Sequence, residues 1–123
     1  MTVDEVRRVL GPDFDSFMKT PASKFPTDAF REYNLYVYYK TPGICEAVEL
    51  FSPARPEYLE QDFINRPYSE VLKWFQTIDD DLKLSGTGFK SMKHGICIYS
   101  PFAGGSPDKP VEGVLVFEKG YWD

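Results

Sequence analysis

A chain of 123 residues that is 42% hydrophobic, with ten Phe and eight Tyr, is long and apolar enough for one domain with its own core, which argues against a disordered chain. Its net charge of −5 lacks the basic footprint that nucleic-acid and anionic-membrane binding require. No apolar run reaches the length of a membrane span, and no apolar h-region follows the acidic start Met1-Thr2-Val3-Asp4-Glu5, so a cytoplasmic location is expected.

Thr2-Val3-Asp4-Glu5 has the form of a capping box, and Val3, Val6 and Leu10 recur at helical spacing. Gly11 and Pro12 then end a short first helix that must dock on other structure to be stable. From 13 to 31, Phe14, Phe17, Met18, Phe25 and Phe30 are interrupted by Pro21 and Pro26. This reads as a turn of helix at 14–18 and then an irregular segment whose aromatics anchor it to the core.

Tyr33 to Phe51 holds two runs of β-branched and aromatic residues around Pro42-Gly43, the pattern of a hairpin. With Thr41 opposite Ile44, one face carries Leu35, Val37, Tyr39, Ile44, Val48 and Leu50, with Glu46 as its one charge, and belongs to the core. The other carries Tyr36, Tyr38, Lys40, Cys45, Ala47, Glu49 and Phe51. A slip of one residue exchanges the two faces.

Residues 57–64 hold a short edge strand. Pro67 opens a second helix to Asp79, with Tyr68, Val71, Leu72, Phe75 and Ile78 on one face. Asp79-Asp80-Asp81 and Ser85-Gly86-Thr87-Gly88 then read as loop, 95–100 as a strand, and 101–110 as a Pro- and Gly-rich connection. Val111 to Glu118 is apolar on both faces, which predicts an interior strand. The order predicts an α+β fold: a single domain over 1–123, a mainly antiparallel sheet of four to five strands, and two helices packed on one face.

No residue constellation declares a reaction, so no catalytic, metal or cofactor-binding residues are assigned and no cofactor is expected. His94, the single histidine, has no close ligand pairs with Cys45 or Cys97 and no nucleophile elbow. The two cysteines read as small hydrophobes in strands that a cytosolic compartment keeps reduced. From Asp79, the sixth and twelfth positions are Leu84 and Lys90, which fails the calcium-loop pattern. Gly86-Thr87-Gly88-Phe89-Lys90 lacks the spacing of a phosphate loop, and Gly104-Gly105-Ser106 is a turn. What remains is surface. Tyr36, Tyr38 and Glu49, with Glu57, Glu60 and Asp62 and with Asp79, Asp80 and Asp81, combine rigid aromatic area with carboxylates that steer basic partners. An ordinary solvated face of an acidic protein would carry the same residues.

Thr2-x-x-Glu5-Val6-x-x-x-Leu10-Gly11, Tyr38-Tyr39-Lys40 through Ile44-Cys45-Glu46-Ala47-Val48-Glu49-Leu50-Phe51, Gly95-Ile96-Cys97-Ile98-Tyr99 and Val111-Glu112-Gly113-Val114 together resemble a group of small bacterial proteins of polymorphic-toxin and contact-dependent inhibition loci. The opening Thr-x-x-Glu-Val-x-x-x-Leu-Gly is also similar to the start of small outer-membrane assembly lipoproteins, whose signal and lipidated cysteine this chain lacks. The first resemblance implies a non-enzymatic immunity protein that covers a cognate toxin, and the acidic charge of the chain suits a basic nuclease as that toxin. A small-molecule or peptide module lined by 14–30 is the alternative, as is an enzyme in which Glu46, His94 or Tyr39 converge.

Overall fold

The computed structural model describes residues 1–18, 20–21, 26–40 and 43–121. The hairpin turn at Thr41-Pro42 and the anchor Phe25 lie outside the described residues.

Thr2 caps α1 (Val3–Leu10). Its hydroxyl accepts the Glu5 N–H at 3.2 Å, and Glu5 Oε1 accepts the Thr2 N–H at 3.1 Å. Gly11 ends the helix with φ +93°. The expected helical turn at 14–18 is instead β1 (Asp15–Phe17), an edge strand. Three residues that pair with a neighbouring strand gain ladder bonds that an isolated helical turn cannot supply. β2 (Thr27–Phe30) is buried along its whole length, where an irregular cover was expected.

β3 (Leu35–Lys40) and β4 (Ile44–Phe51) form the expected hairpin. Leu35, Tyr36, Val37 and Tyr38 pair with Leu50, Glu49, Val48 and Ala47, the expected register. A bulge then shifts the ladder, so that Tyr39 pairs with Cys45 and Lys40 with Ile44. Glu46 is the extra residue, and it is half-exposed rather than a charge on the core face. Cys45, expected on the opposite face, takes the core-side place expected for Glu46, opposite Tyr39 and packed against its cluster.

The edge strand expected within 57–64 is two short pieces, β5 (Glu57–Tyr58) and β6 (Gln61–Asp62), forming a separate two-stranded sheet. α2 (Tyr68–Gln76) begins after Pro67, which sits at its N-cap. The stretch read as loop holds a further hairpin, β7 (Lys83–Ser85) and β8 (Gly88–Ser91). β9 (Ile96–Tyr99) and β10 (Gly113–Phe117) complete the set.

Among the described residues the main sheet therefore has eight antiparallel strands, not four to five, in the order β1-β2-β3-β4-β10-β9-β8-β7. Two four-stranded meanders meet where β10 pairs with β4, which puts β10 in the interior. Directly paired residues share a face, so the ladders can be read straight across the sheet. One line runs Phe30, Leu35, Leu50, Val114, Ile98, Phe89. Both helices bury their stripes on this face. Val6 of α1 packs with Phe30, Leu35, Val37 and Tyr39, whereas Val71 and Phe75 of α2 pack with Phe89, Ile96, Ile98 and Val114. Leu50 borders both clusters.

Polar groups are buried in this layer too, Asp28 among them. Asp28 is fully buried and accepts four hydrogen bonds: from Arg7 Nε and Nη2 at 2.9 Å each, from Ser16 at 2.5 Å and from Tyr39 at 2.8 Å. It ties α1, β1, β2 and β3 together. Burial pushes its pKa up, but the bonds from Arg7, Ser16 and Tyr39 and the Arg7 charge hold it below the ordinary aspartate value.

Candidate functional site

Among the described residues, the opposite face of the sheet carries no helix. Its central line crosses all eight strands: Asp15, Ala29, Tyr36, Glu49, Leu115, Cys97, Lys90, Lys83. Seven strand spacings make this line about 34 Å long. The neighbouring line holds Phe51, Gly113, Tyr99, Gly88 and Ser85.

Tyr36 sits between Phe51, at 5.1 Å between ring centroids, and Phe17, at 5.8 Å, both edge-on. Phe17 is exposed, while Tyr36 and Phe51 are half-buried. Tyr38 donates its hydroxyl to Glu49 Oε1 at 2.5 Å. Burial, that hydrogen bond and the Glu49 charge drive the Tyr38 phenol well above its ordinary value. The phenol of Tyr121 is also raised, by burial and then by Glu46 and Glu49. Cys97 is half-buried and free; burial raises its thiol, with Lys90 opposing and Glu49 adding. The thiol is therefore held in its neutral, unreactive form.

Of the residues singled out in the sequence, the fold brings Tyr36, Tyr38 and Glu49 together on this face. The other carboxylates lie elsewhere. Glu57, Glu60 and Asp62 belong to the β5–β6 hairpin, where the Asp62 carboxylate lies 3.8 Å from Arg66. Asp79 is buried and offers a partner no surface. It accepts from Ser91 Oγ at 2.7 Å and from the Asp81 N–H at 2.9 Å, and these bonds lower its pKa. The Asp79 carboxylate thereby caps the turn that follows α2. Asp80 is exposed, and Asp81 pairs with Lys83 at 3.0 Å.

Sequence reasoning missed Leu115, Cys97, Lys90 and Lys83, which complete the central line. The alternation of β8 and β9 held the signal, but only cross-strand pairing places those residues beside Glu49.

Glu46, His94 and Tyr39 do not share a cleft. Tyr39 is bound to Asp28 under α1, and Glu46 occupies the β4 bulge. His94 bridges the Tyr58 hydroxyl, 2.8 Å from Nδ1, and the Ile78 carbonyl, 3.1 Å from Nε2. The carbonyl can only accept, so Nε2 carries the proton. Among the described residues no three His, Cys, Asp or Glu side chains converge as metal ligands, and no helix is long and apolar enough to cross a membrane.

Recesses lined by described residues mark the surface. One of about 350 Å³ is lined by Asp13, Phe14, Asp15, Ala29 and Arg31. Another of about 250 Å³, wholly apolar, lies beside α1 against Val37, Cys45 and Val48. A third, about 220 Å³, lies on the helix-free face over β7, β8 and β9. No protein-family model, curated protein or solved structure matches this chain.

Proposed function

We propose that this chain is a cytoplasmic protein-binding module of the immunity type, which neutralises a cognate bacterial toxin by covering its active surface through the helix-free face of the sheet. The observation that carries this reading is the Tyr36–Tyr38–Glu49 group, flanked by Phe17, Phe51 and Leu115, on a face that no helix covers. Tyrosine and phenylalanine supply rigid contact area at little entropic cost. Glu49, half-desolvated among them, is a strong receptor for an arginine or lysine at the centre of a partner's surface. The resemblance of the sequence to immunity proteins supports the same reading, and a basic nuclease is the partner such a carboxylate fits.

The test is co-purification of the tagged chain with the protein encoded beside it, followed by titration of Glu49→Lys and Tyr36→Ser variants. Each substitution is expected to weaken binding about tenfold or more while leaving the melting temperature within a few degrees. A neighbour that is no toxin and does not bind, or binding indifferent to both substitutions, refutes the proposal.

The apolar recess beside α1 favours a second reading, a module for a small aliphatic ligand. Decanoate that leaves the amide spectrum of residues 35–48 unchanged removes it.

A further inference from the structure

The central line of the helix-free face is not uniformly acidic. It ends in two lysines, Lys90 and Lys83, which are direct cross-strand partners on β8 and β7. Like charges facing each other across a ladder repel, and Asp81 offsets part of that charge at Lys83. The pairing occurs in a protein whose net charge is −5.

The lysines border the recess of about 220 Å³. Ser85, Thr87, Cys97 and Tyr99 complete its polar lining. Gly88 forms its floor. A side chain there is ruled out by φ +144° and by the Ile98 carbonyl oxygen, which a Cβ would strike. The recess opens on β7, the terminal strand of the sheet, whose three residues are all exposed, Leu84 at 59% even though it faces the helix side. Among the described residues, backbone bonds from 83–85 run only to β8. The outer backbone groups of β7 therefore present an unfilled ladder.

We infer that β7 is a strand-addition site, and that its occupant is an extended segment of a partner protein carrying an acidic side chain, which enters the recess between Lys83 and Lys90. The ladder supplies main-chain hydrogen bonds, while the two ammonium groups choose a carboxylate at one alternate position. Asp81, paired with Lys83 from an exposed position, is displaced at little cost because surface ion pairs contribute little. This site lies along the same face as Glu49 but does not depend on the reading above.

The full chain, labelled with nitrogen-15, is titrated with an acetylated and amidated peptide of alternating threonine and valine with one central glutamate. The amides within 83–85 that point away from β8 are expected to shift and to exchange more slowly with solvent, since only new ladder bonds protect those. The double substitution Lys83→Glu, Lys90→Glu is expected to weaken binding about tenfold, and the neutral pair Lys83→Gln, Lys90→Gln less so. Lys83 is exposed and Lys90 half-exposed, and unchanged far-ultraviolet dichroism confirms the fold of each variant. A peptide with central lysine binding equally well overturns the inference. So does glutarate reproducing the shifts without any peptide-induced protection, which makes the recess a small-anion site. Protection that grows with protein concentration in the absence of peptide also overturns it, because the occupant is then a second copy.

Discussion

Replacing Asp28 by asparagine tests the argument that one buried carboxylate locks α1 to the sheet. Asp28 is fully buried, and the Arg7 side chain is 32% exposed. The carboxylate accepts two charge-assisted bonds from Arg7, one to each oxygen, and one hydroxyl bond to each oxygen from Ser16 and Tyr39. An asparagine offers one oxygen and one NH2. Whichever way it turns, the NH2 meets an Arg7 N–H that cannot accept. The hydroxyls can rotate to adapt, but the guanidinium cannot. Each bond to a charged group contributes about 1.5–3 kcal/mol, and water around the part-exposed Arg7 recovers a fraction, so the expected loss is about 3 kcal/mol. For a chain of this size that lowers the melting temperature by roughly 10 °C. Urea unfolding followed by far-ultraviolet dichroism measures the change, and a cycle with Arg7→Met isolates the coupling. The pH dependence follows from the same contact. The folded pKa of Asp28 lies below its unfolded value of about 3.9, so the contribution is complete above that value and is lost as pH falls through the folded pKa. The Asn variant is expected to have a flatter acid limb. A loss under about 1 kcal/mol with an unchanged acid limb refutes the reasoning.

Gly88→Ala is expected to abolish soluble expression or cost more than about 3 kcal/mol, whereas Gly86→Ala, two residues away with open space at its Cβ, stays within about 1 kcal/mol; equal urea midpoints for the two contradict this. Tyr39, raised first by burial and then by its bond to Asp28, holds its proton in the fold above the pH at which the unfolded phenol ionises. Stability should therefore fall as pH rises past about 10, less steeply in Tyr39→Phe, as unfolding curves at pH 9 to 11 will show. Phe75→Ala removes a fully buried ring at 5.1 Å from both Phe63 and Phe89 and is expected to cost about 3–5 kcal/mol in urea unfolding.

Several elements were legible because their causes are local. The capping box of α1, the stripe of α2 and the alternation of β3 each need only a few neighbouring residues to be recognised. The two-sided apolarity of β10 marked an interior strand for the same reason. The misreadings have a common cause. Asp-Ser-Phe at 15–17, Thr-Asp-Ala-Phe at 27–30 and Lys-Leu-Ser at 83–85 are too short or too polar to declare a strand alone. Their structure comes from ladders with partners elsewhere.

The chain by itself determined where helices start, which stripes are apolar and that β3 turns back on β4, because propensity and periodicity act within a few residues. Tertiary structure alone decided that two meanders join at β4 and β10, that the bulge turns Glu46 away from the core, and that Asp28 receives Arg7. It also assembled the line from Tyr36 and Glu49 to Lys90 and Lys83, since a residue's cross-strand neighbour is set by register between segments up to tens of residues apart, which no local pattern encodes.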